Sequence, residues 1–480
     1  MSYNSKNSKT KDDDKKEKKL QNSENNETIT NKSEISEYKK ENIKAEEETR
    51  DNIEKNDEKE TNDKRIDDKE VNDKERWFEK KISRRDFLKK VGIAGVGAAV
   101  GATGVGAILS NIFSKTAEKF EENDEISFYG KHQSGISTLL QKNIYFVVLD
   151  LHTENKDEII KMFKEWTEYT KKLMKGELVS PELKNHLLPP VDTGEALGLN
   201  PYRLTLTFGI SPSFLDKLHL DNKKLEEFKD LPHFPRDQIK EQYKGGDICI
   251  QACADDIQVA FHAVRNLVRK GRTLITMKWS QTGFLPIGNG KETPRNLFGF
   301  KDGTENPRNE NDFNEVVWYD KDNWLKNGTY MIVRRIQMHL ETWDRTNLQE
   351  QENTFGRYKE SGAPFGEKDE FAVIDINKKN SKGEPIIPID SHVFLAKKAG
   401  TRICRRAYSY SSGINEISGQ FDAGLLFICF QKNPEQFIKI QNSLGNEDKL
   451  NEYITHIGTG IFACFGGIKK GEYIGQKLFE

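Results

Sequence analysis

Four stretches of the chain share one pattern: a run of β-branched and aromatic residues, a break of acidic or turn-forming residues, then apolar positions at helical spacing. They are 143–171 (NIYFVVLD, then DEIIKMFKEWTEYTKK), 247–270 (DICIQACADD, then IQVAFHAVRNLVRK), 330–357 (YMIVRRIQMHL, then NLQEQENTFGR) and 424–444 (GLLFICFQ, then NPEQFIKIQNSL). Each reads as a strand followed by an amphipathic helix. Strand then helix, twice per half, is the βαββαβ order of a ferredoxin-like unit, so the pattern predicts an α+β chain with one half over 126–305 and another over 306–480. In such a unit the helices bury one sheet face. The strands here leave the opposite face apolar too, and two outcomes stay open: the two sheets pack on each other, or they wall a pocket.

The pattern is missing before residue 126. Residues 1–80 hold 20 Lys+Arg, 24 Asp+Glu and only 13 apolar side chains, too few to offset the entropy of ordering the chain. Residues 1–82 are therefore expected to be a disordered, charged arm, and 111–125 a linker. Between them, at 83–110, Ser83-Arg84-Arg85-Asp86-Phe87-Leu88-Lys89-Lys90 precedes an uncharged stretch from Val91 to Leu109 that contains six glycines. Paired arginines, a hydrophobic residue after one spacer and a mildly apolar run form a twin-arginine export signal. A plain transmembrane helix is the competing reading, since the run is long enough to span. No clean A-x-A site follows, which leaves an uncleaved N-terminal membrane anchor open. The expected location is the cell envelope, periplasm or extracellular face. Twin-arginine substrates generally cross folded, often with a cofactor already inserted, so a buried cofactor is worth seeking.

Composition then narrows the remainder. The chain has 480 residues, a mean hydropathy of -0.78 and a formal net charge of -2. Setting the acidic arm aside leaves a slightly positive globular part of ordinary composition, with no electrostatic footprint for nucleic acid. Its five cysteines, Cys249, Cys253, Cys404, Cys429 and Cys464, are odd in number and sit mostly in apolar runs, which is no disulfide framework. Cys249 and Cys253 form C-x3-C without a second Cys/His pair at zinc spacing.

Three strings carry candidate chemistry. Gly299-Phe300-Lys301-Asp302-Gly303-Thr304-Glu305-Asn306-Pro307 is a turn-rich loop presenting an acid, although a solvated Asp in an ordinary turn has the same composition. Asp390-Ser391-His392-Val393-Phe394-Leu395-Ala396 puts a lone His at what reads as a strand start. Arg402-Ile403-Cys404-Arg405-Arg406-Ala407-Tyr408-Ser409-Tyr410 sets two arginines in an alternating run, so they must face opposite ways. A buried guanidinium is costly without a partner, and an inward Arg near an acid suggests a site.

Together these strings resemble the dye-decolorising peroxidases, haem proteins of dimeric-barrel type built from two ferredoxin-like halves. GFKDG matches the family's GxxDG signature, followed in order by D-S-H and R-R-x-Y-S-Y. FYGKHQSGI at 128–136, VRRIQMHLETWDRTNLQEQENTFGR in the middle and SGQFDAGLLFICFQ near the end extend the likeness from about residue 126 to the C-terminus. The ETWDR, FGR and SGAPFG strings, with the export signal, look most like the deferrochelatase/peroxidase branch associated with bacterial iron uptake.

The resemblance implies that His392 is the axial ligand of haem b iron, with the opposite face open to hydrogen peroxide. It gives Asp302 the distal acid–base role and Arg405 the stabilisation of charge as the O–O bond breaks. Gly303, Thr304 and Glu305 are implied to line the haem pocket. Asp448, with Glu447 behind it, is the candidate carboxylate orienting His392. The interval between His392 and Arg405 is shorter than in many relatives, which leaves propionate contacts at Lys397 and Lys398 unassigned.

Implied partners are hydrogen peroxide, a reducing substrate (dyes, ferrous iron or porphyrinogens), the twin-arginine translocase, iron-uptake proteins and further copies of the chain in a homo-oligomer. A haem-binding, iron-extracting protein with incidental peroxidase activity is the alternative. His132, His186, His233, His262, His339 and His456 are rival ligands, of which His262 reads as a helix residue and His339 as a strand residue, both with structural roles. No H-E-x-x-H, GxGxxG or G-x-S-x-G motif offers other chemistry.

Overall fold

The computed structural model describes residues 125–180, 186–287, 293–416 and 418–480. The charged arm, the twin-arginine segment and nearly all of the linker lie outside the described residues. Among those described, no helix is long and apolar enough to cross a membrane.

Nine strands form the sheet: β1 (Asn143–Leu151), β2 (Thr205–Ile210), β3 (Ile248–Ala254), β4 (Ile275–Phe284), β5 (Thr329–Met338), β6 (Cys404–Arg405), β7 (Tyr408–Ile414), β8 (Phe421–Gln431) and β9 (Ile454–Cys464). The first four lie in the order β2-β3-β1-β4, and β9-β5-β8-β7 repeats that order in the second half. This is the ferredoxin-like arrangement twice over, all pairs antiparallel. The halves join at two seams, β2 with β9 and β4 with β7, so eight strands close into a barrel and the short β6 lies beside β8.

Closure decides what the second apolar face does. Along β5, Met331 and Val333 point into the barrel with Phe146, Val148, Ile428, Phe430 and Phe462 from strands of both halves. Tyr330 and Ile332, one residue out of phase, face the outer layer, as the two-residue period of a strand requires. The sheets therefore pack on each other inside the barrel. All five cysteines are buried free thiols, and burial pushes the Cys404 thiol up to about 12, so it stays an uncharged core group.

The outer faces differ between the halves. In the first, α1 (Lys156–Leu173) and α2 (Ile257–Gly271) lie flat on the sheet. Ile159, Phe163 and Trp166 of α1 and Val259, Ala263 and Leu267 of α2 are buried in one cluster, and the Trp166 indole N–H donates to the Leu267 carbonyl at 2.9 Å. His262 belongs to this layer: buried on α2, it bonds Asp192 at 2.8 Å. Asp192 also accepts the Val179 and Gly194 amides. His262 thus pins the loop between α1 and β2, the structural role expected for it.

In the second half three helices stand off the sheet: α3 (Leu348–Phe355), α4 (His392–Lys398) and α5 (Glu435–Leu444). The outward residues of the strands beneath, Arg334, Ile336 and Met338 of β5, Leu425 and Phe427 of β8, and Ile454 and His456 of β9, line a cavity of about 630 Å³ instead of a closed core. β5 and β8 approach so closely behind it that a Cβ at Gly424 would overlap the Ile336 carbonyl oxygen.

Three local expectations are corrected. His392 opens a helix rather than a strand, because the Ser391 hydroxyl caps it by accepting the Phe394 amide. The run 402–410 is not one strand: Arg406 and Ala407 interrupt it between β6 and β7, although both pieces follow β8. His339 lies one residue past β5 and bonds Thr455 Oγ1 at 2.9 Å.

Candidate active site

The cavity collects most of the residues that the sequence singled out. His392, Asp302, Thr304, Glu305, Arg405 and Asp448 all line it. Gly303 does not. It takes φ +115°, a conformation that favours glycine, and its carbonyl accepts the Asn306 amide at 3.1 Å. Its part is to turn the loop that carries Asp302.

His392 is held from one side only. Its Nδ1 lies 2.7 Å from Oδ2 of Asp448, a nearly buried carboxylate whose other oxygen accepts the Leu450 amide at 2.9 Å. This carboxylate makes Nδ1 the protonated nitrogen and leaves Nε2 with its lone pair free, the tautomer a metal needs. The two segments are tied together, since the Lys449 amide donates to the Asp390 carbonyl at 3.1 Å. The Ser443 hydroxyl of α5 likewise donates to the Leu395 carbonyl of α4 at 2.6 Å. Glu447, the weaker candidate, is exposed.

Asp302 and Arg405 form the second constellation. The Asp302 amide bonds the Pro294 carbonyl at 2.9 Å, which sets the loop. Arg405 Nη1 lies 3.0 Å from Asp302 Oδ1, yet that buried oxygen accepts no hydrogen bond. The N–H vectors miss it. That oxygen is closed to the cavity, so an entering molecule meets the part of the Asp302 carboxylate that keeps some exposure, beside the Arg405 cation.

Arg406 faces the other way, as alternation demanded. It is buried and donates to the Thr138 carbonyl at 2.6 Å and to Gln141, so it anchors the strand break to the segment ahead of β1. Thr304 is buried, and Glu305 meets Lys397 at 3.4 Å near the cavity rim.

Two further lining residues, Arg357 and Arg334, were not singled out, and a third, His456, was named only as a rival ligand. Arg357 is buried, with Nη1 donating to the Gly362 and Glu370 carbonyls at 2.7 and 3.1 Å. Burial pushes its guanidinium down to about 10, with Arg405 adding to the shift and Glu305 and Glu370 opposing it, so it is still a cation at neutral pH. Arg334 is buried against Asp237 and bonds Thr459 at 3.0 Å, with its Nε unpartnered. Burial, with Arg334 and His392 nearby, pushes His456 down to about 3, which keeps it neutral. Adjacent arginines in the apolar run YMIVRRIQM were the signal for Arg334, on the same reasoning that drew attention to Arg405.

These features fit a porphyrin. The volume is that of a cofactor site, and Phe298, Ile336, Phe355 and Leu450 give it apolar walls. His392 on its wall has one ring nitrogen bonded to Asp448 and the other without a partner among the described residues, and buried guanidiniums offer counter-charges for carboxylate substituents. Among the described residues no group of three or more His, Cys, Asp or Glu side chains could hold a bare metal ion. A wider recess of about 850 Å³, lined by Phe128, Lys164, Lys171 and Tyr473 among others, contains none of the residues named above.

Comparison with known proteins gives one answer. The families described as Dyp-type peroxidase, N-terminal, and Dyp-type peroxidase, C-terminal, match residues 133–285 and 293–469. A deferrochelatase of Shigella flexneri serotype 5b is 35% identical over 418 residues, covering 83% of this chain and 97% of its own. That of Escherichia coli K12 is 36% identical over 377 residues, covering 75% and 88%. DtpA from Streptomyces lividans, solved as an X-ray generated oxyferrous complex, superposes with a TM-score of 0.70 at 34% identity over 75% of this chain and 98% of its own. With both halves matched in order and the cavity lying wholly within the C-terminal match, the chain belongs to the Dyp-type peroxidase family and is a haem peroxidase.

Proposed function

We propose that this peroxidase works through His392, Asp302 and Arg405, with Asp448 as the orienting carboxylate, and that it serves iron handling at the cell envelope. The observation that carries the reading is the pairing of an imidazole whose Nε2 is free with a distal carboxylate whose Oδ1 has a cation but no donor, both on one cavity. Haem held there supplies an iron open to peroxide and the electrons that cleaving the O–O bond consumes. The protein's part is to hold and move protons. Asp302 would take a proton from one oxygen of hydrogen peroxide and return it to the other, which leaves as water. Arg405 donates to the oxygen on which negative charge grows. Asp448 fixes the His392 ring by its bond to Nδ1. Arg357 and Lys397 are the cations available to the carboxylates of the cofactor, and Thr304 and Glu305 complete the wall.

A second reading is favoured by the relatives named deferrochelatase: removal of iron from haem with the tetrapyrrole left intact. Asp302 and Arg405 support the peroxidase, because a carrier needs only the His392 ligand and apolar walls. Haem-loaded protein given peroxide and a reductant should oxidise the reductant at a rate set by peroxide, with no metal-free porphyrin fluorescence. Porphyrin release without peroxide, and no peroxide-dependent oxidation, would put iron removal first.

The partners that go with this reading are a reductant such as ferrous iron or a porphyrinogen, iron-uptake proteins, other copies of the chain and the twin-arginine translocase. The export proposal rests on Arg84 and Arg85 in S-R-R-D-F-L-K. Arg84→Lys with Arg85→Lys should hold folded protein in the cytoplasm, since a translocase that reads a planar guanidinium pair is not satisfied by ammonium groups. Removing residues 1–70 should leave export intact. Fractionation decides, and normal export of the double-Lys variant would instead support a plain membrane segment.

A further inference from the structure

Arg405 lies at a strand edge that no other strand covers. β6 pairs only with β8, Arg405 opposite Cys429. The next residue, Arg406, donates its amide to the Ile428 carbonyl at 2.8 Å. In an antiparallel ladder hydrogen-bonded and non-hydrogen-bonded pairs alternate, so the Arg405 N–H and C=O point away from β8. Both are taken by one side chain. Asn306 Oδ1 accepts the Arg405 N–H at 2.9 Å, and Asn306 Nδ2 donates to the Arg405 carbonyl at 2.7 Å. A donor needs an acceptor and the reverse, so this pairing also fixes the orientation of the amide.

Asn306 sits four residues beyond Asp302 in the same loop. The turn between them is closed by the bond from the Asn306 amide to the Gly303 carbonyl at 3.1 Å. A Cβ at Gly303 would stand 3.3 Å from Asn306 Nδ2, at a backbone conformation that side chains rarely adopt. The glycine therefore leaves room for the carboxamide. We infer that Asn306 is a positioning residue: its carboxamide stands in for a missing strand and locks the Asp302 loop to the Arg405 backbone, which sets the 3.0 Å separation of the two groups that act on peroxide. The inference rests on the distal roles proposed above for Asp302 and Arg405. It gives Asn306 no contact with peroxide.

A clamp of this kind is read through the group it positions. In haem-loaded protein, Asn306→Leu removes both bonds at similar volume, and Asn306→Asp keeps the acceptor but turns an oxygen on the Arg405 carbonyl. Misplacing a catalytic group by about 1 Å can cost on the order of 10²-fold in rate. We therefore expect Asn306→Leu to slow both the peroxide-dependent spectral change and cyanide binding to the ferric protein by about 10- to 100-fold, with Asn306→Asp intermediate. Haem stoichiometry and the thermal unfolding midpoint serve as folding controls, and Asn306→Asp carries the test should the leucine variant not fold.

The decisive arm is the Arg405→Leu background, where Asn306→Leu should cost little further in either rate, because the separation it sets between Asp302 and Arg405 counts only while both side chains act on one step. An additive loss in that background, or wild-type cyanide binding in both Asn306 variants, overturns the clamp. If Arg405→Leu alone leaves peroxide and cyanide reactions unchanged, the distal assignment itself has failed and the clamp falls with it.

Discussion

His392→Ala is expected to give a folded protein that retains almost no haem. Nε2 of this residue is the one imidazole nitrogen on the cavity that combines a free lone pair with a carboxylate fixing the opposite nitrogen. His456 also lines the cavity, but it is buried beneath Arg334 on the sheet face rather than presented by a helix turn. The substitution removes the ligand and strips Asp448 of the donor on Oδ2, leaving a nearly buried carboxylate with only the Leu450 amide. Some loss of stability therefore accompanies the loss of haem. Asp448→Asn separates the two effects. It keeps the ligand and weakens only its orientation, so haem affinity should fall by about 10- to 100-fold, the usual cost of removing such a partner. The measurement is haem titration of apoprotein by the visible spectrum, with thermal unfolding alongside. Full stoichiometry and an unchanged spectrum in His392→Ala would falsify the axial assignment, whatever the activity.

The fold was legible because the chain repeats itself. Runs such as NIYFVVLDL and FDAGLLFICFQ are short, rich in β-branched or aromatic residues, and followed by amphipathic helices. The order of those elements dictates a ferredoxin-like topology before any contact is considered. The resemblance implied a barrel, but the strand pattern alone left closure open for a physical reason: a strand apolar on both faces, like Tyr330 to Val333, is equally consistent with two sheets packed together and with a pocket wall. Two short seams settle it. β2 and β9 share two residue pairs and β4 and β7 share one, too little register to leave a mark in sequence.

The convergence of Asp302, His392 and Arg405 on one cavity was legible, because each stands at a fixed place in a motif. It was illegible where long-range packing does the selecting. Asp448 and Glu447 are neighbours with the same group, and only the turn after α5 decides that Asp448 reaches His392 while Glu447 stays in water. The helix at His392 was missed because V-F-L in H-V-F-L-A imitates a strand, and a single Ser cap outweighed the local propensity. Asn306 gave no signal. Its role depends on an empty strand edge about a hundred residues away in sequence.

Asp302→Asn and Arg405→Leu should each keep haem and slow the peroxide step by about 10²-fold or more, the range typical of removing a proton-transfer group or a donor to a developing anion. Neither residue bonds His392 or Asp448, so cofactor retention is decided elsewhere in the cavity. In Asp302→Asn the new carboxamide would occupy the same volume but could not accept and return a proton. Arg405→Leu would leave Asp302 Oδ1 without its cation at 3.0 Å and without any hydrogen-bond donor. The double variant should be little worse than either single one, since both side chains act on a single bond-breaking step and the first loss removes what the second would contribute. Stopped-flow mixing of the ferric proteins with peroxide, followed in the visible spectrum, measures all three effects. Wild-type rates in both single variants would remove the distal mechanism and leave iron removal from haem as the leading reading, whereas multiplicative losses in the double variant would mean that the two residues act in separate steps.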